Sequence, residues 1–230
     1  MYCGKKILAV IPARGGSKGI KLKNLKKING LTLIEHVAKI ITQNRKIDYA
    51  YVSTDSNKIK KNVLNTDILK VLHRPKKLSG DCISDLEVLS HAISELQKKI
   101  NFDIVLMLQP TSVLRKSSHI DKALNLLVDK KYDAVWSVSK VNFKYHPLKQ
   151  LRIKKNKLEF FEDKGKKIIS RQQLNNTFIR NGAVYAFTKK IILNDKKILN
   201  NKTGFFEIKE KQISIDDYND LKKARELIKK

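Results

Sequence analysis

Glycines and cations are concentrated in one stretch near the amino terminus, residues 11–19, which reads IPARGGSKG. Three glycines within five residues allow a tight turn, and such a turn can bring backbone N–H groups close to a ligand. Arg14, Lys18 and the nearby Lys23 add positive charge in the same region. The stretch therefore predicts a polyphosphate-binding loop, although a plain strand-to-helix turn is the alternative. Neither G-x-x-x-x-G-K-[ST] nor G-x-G-x-x-G occurs in it.

The elements around this loop alternate between strands and helices. Capping-box patterns at Thr32 to Glu35 and at Ser84 to Glu87 predict two helix starts. Apolar runs predict strands at 7–11, 49–53, 69–72, 104–108, 134–138, 181–187 and 212–215. This order predicts an α/β fold with a mostly parallel sheet flanked by helices. Ligands of such sheets bind beyond the carboxyl ends of the strands, where the polar clusters of this sequence fall.

The alternation stops between residues 140 and 176. Residues 151–162 have the pattern of a lysine-rich β-hairpin with Asn156 near its turn, and Phe160 and Phe161 are candidates for burial. We expect one main domain over residues 1–230 with this segment as a small appendage.

Composition limits the class of protein. The chain has 230 residues and a mass of 26.5 kDa, and it contains no apolar run near the roughly 18 residues that a membrane-spanning helix needs. Residues 1–6 lead directly into a strand, which leaves no room for a signal peptide and predicts a cytoplasmic protein. Cys3 and Cys82 lack metal-ligand spacing and are expected to be reduced thiols.

The charge balance is strongly basic, with 49 Lys and Arg residues against 22 Asp and Glu residues, a formal net charge of +27. Such a charge suggests a polyanion or RNA partner, and a non-catalytic polyanion-binding protein is a hypothesis of a different class. The lysines are spread along the chain, aromatic residues make up only 7%, and no aromatic-basic stacking motif is present. We therefore expect solvated helix faces and no nucleic-acid partner.

Eight motifs, in the same order along the chain, resemble those of the acylneuraminate cytidylyltransferases, which make CMP-sialic and CMP-legionaminic acids. The motifs are IPARGGSK (11–18), KNL (23–25), VSTD (52–55), RP (74–75), LQPTSVLR (108–115), RQQ (171–173), NGAVY (181–185) and ID (215–216). The resemblance runs from about residue 6 to the carboxyl terminus.

This resemblance implies a Rossmann-like fold and a homodimer formed through the projecting β segment at 140–176. It also implies transfer of CMP from CTP to the anomeric hydroxyl of a nonulosonic acid for surface glycans, with Mg²⁺ as cofactor. A synthetase for CMP-3-deoxy-octulosonate is the alternative with the same chemistry.

The resemblance also assigns residues to roles. Arg14, Lys23 and Asp216 would be catalytic, and Asp216 would bind the metal. The nucleotide site would consist of Ala13, Arg14, Gly15, Ser17, Lys18, Lys23, Asn24, Arg74 and Asp81. The sugar site would consist of Gln109, Lys149, Arg171, Tyr185, Phe205 and Phe206, although a pair of core phenylalanines is an equally ordinary interpretation of the last two.

The sequence departs from the family at two positions. Many relatives have an Asp-Ile-Asp pattern before the last helix, where this chain has Ser214, Ile215 and Asp216. The number of protein ligands to Mg²⁺ is therefore open. Val113 replaces a common proline, which would affect loop stiffness.

Overall fold

A computed structural model describes residues 1–228, and a seven-stranded sheet lies at its centre. The strands of this sheet are β1 (Ile7–Pro12), β4 (Tyr49–Thr54), β5 (Lys70–His73), β6 (Ile104–Met107), β7 (Ala134–Lys140), β10 (Phe178–Thr188) and β11 (Thr203–Glu207). Two short antiparallel pairs lie outside it: β2 (Lys27–Ile28) with β3 (Leu31–Thr32), and β8 (Leu151–Lys154) with β9 (Lys157–Phe160). The strand order in the large sheet is β11-β7-β10-β6-β1-β4-β5.

The predicted mostly parallel sheet is confirmed. Strand β1 pairs in parallel with β4 on one side and with β6 on the other, and β4–β5 and β7–β11 are parallel pairs as well. Strand β10 runs antiparallel between β6 and β7. The chain leaves β1 toward β4 and later returns to the other side of β1 as β6, so the order of winding reverses there. Such a switch point opens a crevice at the carboxyl ends of the strands.

The helices are α1 (Leu33–Thr42), α2 (Asn57–Leu64), α3 (Asp85–Leu96), α4 (Ser117–Asp129), α5 (Lys189–Leu193) and α6 (Tyr218–Ile228). Both predicted capping boxes are present, with the Thr32 and Ser84 side chains accepting from the N–H groups of Glu35 and Glu87. Among residues 1–228, no helix combines the length and apolar character needed to cross a membrane.

The core has a layer on each face of the sheet because alternate residues of β1 point in opposite directions. Ile7, Ala9 and Ile11 pack with α1, α2 and α4, whereas Leu8 and Val10 pack with α3 and α5. All five side chains are fully buried. Burial on both faces explains why β1 is continuously apolar in sequence. The glycine-rich loop begins at the carboxyl end of this buried strand.

The predicted strand at 212–215 is wrong. This segment does not pair with any strand of the sheet. The Ile215 N–H donates instead to the Thr111 carbonyl, which belongs to a loop, at 3.2 Å. The buried Ile215 side chain packs with Ile20 and with Leu221 of α6. The strand of this region is β11, which pairs with β7 at the edge of the sheet.

The predicted hairpin is confirmed as β8 and β9. Lys155 and Asn156 form its turn with φ values of 46° and 60°, as two-residue hairpin loops require. The predicted burial of Phe161 is wrong, since its side chain is 55% exposed, and Phe160 is only partly buried. The hairpin is a separate two-stranded sheet, and neither ring belongs to a core cluster of the described residues.

Candidate active site

A cavity of about 640 Å³ lies at the switch point, beside Pro12 at the end of β1 and Gln109 just beyond β6. Nine residues that the sequence assigned to the nucleotide, sugar or metal line it: Arg14, Ser17, Lys18, Lys23, Asn24, Arg74, Asp81, Gln109 and Asp216. The structure therefore brings together residues that are up to 200 positions apart in the chain.

The glycine-rich loop is held in place by the neighbouring strand β4. The Ala13 N–H donates to the Ser53 carbonyl at 3.0 Å, and the Gly15 N–H donates to Asp55 Oδ1 at 2.9 Å. From inside, the buried Asn24 donates to the Arg14 carbonyl at 3.2 Å. Ala13 and Gly15 thus shape the loop without lining the cavity.

Two carboxylates in the cavity are paired with cations of the loop. Arg14 Nη1 lies 2.8 Å from Asp81 Oδ1, Lys18 binds the other oxygen of the same carboxylate, and Lys23 Nζ lies 2.8 Å from Asp216 Oδ1. Hydrogen bonds from Lys18 and then Arg14 hold the pKa of Asp81 below its ordinary value. The carboxylates occupy positions where oxygen anions are stabilised, which is what phosphate oxygens would require.

Arg74 forms a buried cation at the edge of the cavity. Its Nη2 donates to the Ser53 carbonyl at 2.6 Å, and within residues 1–228 its buried Nε has no hydrogen-bond partner. Burial lowers its pKa to about 10, with the Asp55 carboxylate acting in the opposite direction. The group therefore remains charged at neutral pH.

The donor set for a metal is small. Within residues 1–228, no group of three or more His, Cys, Asp or Glu side chains is close enough to hold an ion. The Asp216 side chain is 74% exposed and borders the cavity together with Ser214. One accessible carboxylate beside the cations of the glycine-rich loop fits Mg²⁺, which commonly takes one or two carboxylates and completes its shell with phosphates and waters.

The residues assigned to the sugar do not come together. Gln109 lines the cavity, but Tyr185 is buried, and its hydroxyl oxygen accepts from the Gly182 N–H at 3.1 Å. Lys149 and Arg171 line a separate cavity of about 610 Å³, where the Arg171 guanidinium lies 4.6 Å from the centre of the Phe143 ring.

Phe205 and Phe206 are separated by the pleat of β11. Phe206 is buried in the core, whereas Phe205 is 61% exposed and lies 5.8 Å from the ring of Phe178. Consecutive strand residues point to opposite faces, so the two rings cannot form one surface. The core interpretation holds for Phe206, which has almost no surface to offer a ligand.

Arg115 is a structural residue of the site that the sequence assignment omitted. The fully buried guanidinium donates from Nη2 to the Gln109 carbonyl at 2.6 Å and from Nε to the Ala183 carbonyl. Burial lowers its pKa to about 9, which leaves it charged at neutral pH. It ties the loop that carries Gln109 to the irregular part of β10, between Arg180 and Tyr185, where the register with β7 shifts. A basic residue at the end of the LQPTSVLR motif was the available signal.

The chain is similar to known proteins along most of its length. The family model described as Cytidylyltransferase matches residues 8–229. A post-translational flagellin modification protein B from Campylobacter coli is 28% identical over 97% of this chain and 95% of that protein. A CMP-N,N'-diacetyllegionaminic acid synthase from Legionella pneumophila is 32% identical over 86% of this chain and 84% of that protein.

Coverage differs among the relatives. The chain spans about half the length of the N-acylneuraminate cytidylyltransferases that it matches, such as that of Streptococcus agalactiae serotype V, which is 29% identical over 94% of this chain and 51% of that protein. Among solved structures, a CMP:2-keto-3-deoxy-manno-octonic acid synthetase in complex with CTP has a TM-score of 0.75 at 17% identity, covering 97% of this chain and 98% of that one. At this identity, the likeness concerns the fold.

Proposed function

The chain belongs to the cytidylyltransferase family, and we propose that it transfers CMP from CTP to the anomeric hydroxyl of a nonulosonic acid and releases pyrophosphate. The observation that carries the proposal is the convergence of Arg14, Lys18, Lys23 and Arg74 on one cavity at the switch point of the sheet. These cations can attract the phosphates of a nucleoside triphosphate, whose oxygens would compete with the carboxylates that now bind three of them.

The reaction needs positioning and charge stabilisation more than covalent catalysis. The acceptor oxygen bonds to the α-phosphorus, and the bond from that phosphorus to the α,β-bridging oxygen breaks. The electron pair of that bond leaves with pyrophosphate, and the hydroxyl proton passes to solvent. Arg14 and Lys18 would exchange Asp81 for phosphate oxygens, and Lys23 would stabilise the charge that develops on the leaving group.

Mg²⁺ is proposed as the cofactor, held by Asp216 together with phosphate oxygens and waters. The ion would supply additional positive charge at the triphosphate. Ser214 places a hydroxyl where many relatives have a carboxylate, so the protein contributes one charged ligand. We expect Asp216→Asn to shift the Mg²⁺ dependence of turnover to higher concentration, because the protein would then supply no charged ligand to the ion. An unchanged Mg²⁺ curve would move the metal site elsewhere.

A nine-carbon acceptor is favoured over the eight-carbon alternative. The relatives at 28–32% identity include a legionaminic acid synthase and several N-acylneuraminate cytidylyltransferases, whereas the octonic acid synthetase matches at 17% identity. Because CTP is a cytoplasmic metabolite, we place the reaction in the cytoplasm.

We further propose that the protein is a homodimer and that residues 140–176 form an inserted dimerisation segment within one nucleotidyltransferase domain, residues 1–230. The support is a set of exposed apolar side chains on this segment: Leu151, Ile153, Leu158, Phe161 and Ile169 are all more than half exposed. Such a patch is costly in water unless a partner covers it. Lys149 and Arg171 would reach an acceptor if dimerisation brings their cavity to the nucleotide cavity of the partner.

The test is pyrophosphate release in the presence of Mg²⁺ and a nonulosonic acid, with CTP, UTP, ATP and GTP compared at equal concentration. We expect release with CTP and the acid together and none without the acid. Equal release from all four nucleotides, or release that ignores the acid, would contradict the proposed reaction.

A further inference from the structure

Asp85 is a third carboxylate in the cavity, and no role has been assigned to it above. It is the first residue of α3 and lines the cavity beside Ile83, Val88 and Gln109. Cations lie within hydrogen-bond distance of Asp81 and Asp216, at 2.8 Å in each case, whereas Asp85 has only a long ion pair with Arg180, whose Nη1 lies 3.9 Å from Oδ2. That separation is too long for a hydrogen bond.

The helix start does not require this side chain. Ser84 is the N-cap, its Oγ accepts from the Glu87 N–H, and the Glu87 carboxylate accepts from the Ser84 N–H at 2.8 Å. This reciprocal pair already caps α3. The Asp85 side chain is 32% exposed, and within residues 1–228 it makes no hydrogen bond through its carboxylate that meets ordinary geometry.

The ionised form of Asp85 destabilises the folded protein. Burial raises its pKa above the ordinary value, and Arg180 lowers it only in part. A carboxyl group with a raised pKa in the folded state favours unfolding when pH rises above that pKa, since the unfolded chain ionises it more easily. At neutral pH, the ionised Asp85 carboxylate therefore lowers the free energy of unfolding, and no hydrogen bond in the described chain offsets this effect.

In the part of the chain that the structure describes, the charged group that faces Asp85 belongs to strand β10 and not to the glycine-rich loop. Arg180 belongs to β10, and its guanidinium also lies 5.4 Å from the centre of the Trp136 ring of β7. In the sheet, β7 and β10 lie on the far side of β6 from β1, β4 and β5, which carry the glycine-rich loop and Arg74. A carboxylate that accepts no hydrogen bond from the protein would repel phosphates, but it is a strong acceptor for hydroxyl and amide N–H groups.

We propose that Asp85 is a specificity residue for the acceptor and that it accepts a hydrogen bond from a hydroxyl or amide N–H group of the acceptor sugar acid. Arg180 offsets the charge, so that an anionic acceptor is not repelled. This inference rests on the proposed function.

The test compares Asp85→Ala and Asp85→Asn with Glu95→Gln. Glu95 is a matched control because it lies on the same helix and pairs with Lys98 in solvent. For Asp85→Ala, we expect kcat/KM for the acceptor to fall by about tenfold to a hundredfold, as expected for loss of one hydrogen bond to a charged group. Asp85→Asn should recover part of this loss, since its amide oxygen still accepts. In both Asp85 variants the KM for CTP should not rise and the unfolding temperature should not fall. Glu95→Gln should have the kinetics and the unfolding temperature of the wild type.

Three outcomes would overturn the inference. If Asp85→Ala leaves kcat/KM for the acceptor unchanged, the residue does not contact the acceptor. If only the KM for CTP rises, the residue belongs to the nucleotide site. If the unfolding temperature falls with no change in acceptor kinetics, the residue has a structural role. Failure of the wild type and of Glu95→Gln to act on any sugar acid would instead overturn the proposed function, and this inference with it.

Discussion

Arg14 and Lys23 each bind a carboxylate at the place where phosphate oxygens are expected. Both side chains border the cavity and neither belongs to a core cluster, with Arg14 and Lys23 32% and 17% exposed. Substitution at either position therefore removes an ion pair without removing a core side chain.

We expect Arg14→Ala and Lys23→Ala to lower kcat/KM for CTP by about a hundredfold each, because each removes a preorganised cation from the reacting triphosphate. Steady-state kinetics would measure this, and thermal unfolding would check the fold. Lys58→Ala is the control, since Lys58 is an exposed residue of α2 outside the cavity. Unfolding of either site variant at ordinary temperature would argue against a phosphate-binding role.

Single residues were predictable where one motif carries several of them. Arg14, Lys18 and Lys23 occur within ten positions of one another, and a turn of that length must bring them close. Lys149 and Arg171 belong to a segment outside the central sheet, and sequence periodicity does not report where such a segment lies. The sequence also did not show that Asp85 has only a long ion pair, because this depends on its distance from Arg180, which is 95 positions away in the chain.

The glycine-rich loop depends on close contact with the segment that carries Asp216. A Cβ atom built on Gly19 would lie 2.4 Å from the Asp216 carbonyl oxygen, whereas one built on Gly16 meets nothing within 4 Å. The two glycines belong to the same loop but differ in what surrounds them.

We expect Gly19→Ala to lower the free energy of unfolding by about 1–3 kcal/mol, because the added methyl group must displace backbone. Gly16→Ala should leave it nearly unchanged. Denaturant unfolding of the unliganded protein measures both. Equal effects of the two substitutions would mean that the loop does not pack against residue 216 in the way described.

Elements were predictable where the local pattern agrees with the tertiary structure. The capping boxes of α1 and α3 and the turn at Asn156 contain their own signals, and each forms as predicted. The segment 212–215 has a strand-like sequence, but its Ile215 N–H donates to the carbonyl of Thr111 in a loop and not to a strand. The antiparallel direction of β10 likewise follows from the long connection before it, which has no short-range signature.

At the scale of the whole molecule, the exposed apolar surface of the hairpin and the net charge of +27 are the two unusual properties. The charge is spread along the chain and would attract any anionic substrate. Exposed apolar side chains also occur elsewhere in the described chain, but they are concentrated in residues 140–176, which supports the proposed homodimer.

We expect the wild-type protein to have about twice the chain mass of 26.5 kDa in light scattering, and Ile153→Glu to have the mass of one chain. Ile153 is 77% exposed on β8, and a charge there would be buried without a partner in a dimer. Leu64→Glu is the control, because Leu64 is 67% exposed on α2 and lies outside the hairpin. A wild-type protein with the mass of one chain would exclude this dimer.

The central claim is that this cavity joins CMP to a nonulosonic acid, and product analysis by mass spectrometry tests it most directly. The reaction would contain CTP, Mg²⁺ and either N-acetylneuraminic, legionaminic, pseudaminic or 3-deoxy-octulosonic acid. We predict a CMP ester of a nine-carbon acid together with an equal amount of pyrophosphate. A CMP ester of the eight-carbon acid alone, or CMP and pyrophosphate with no sugar ester, would contradict the account.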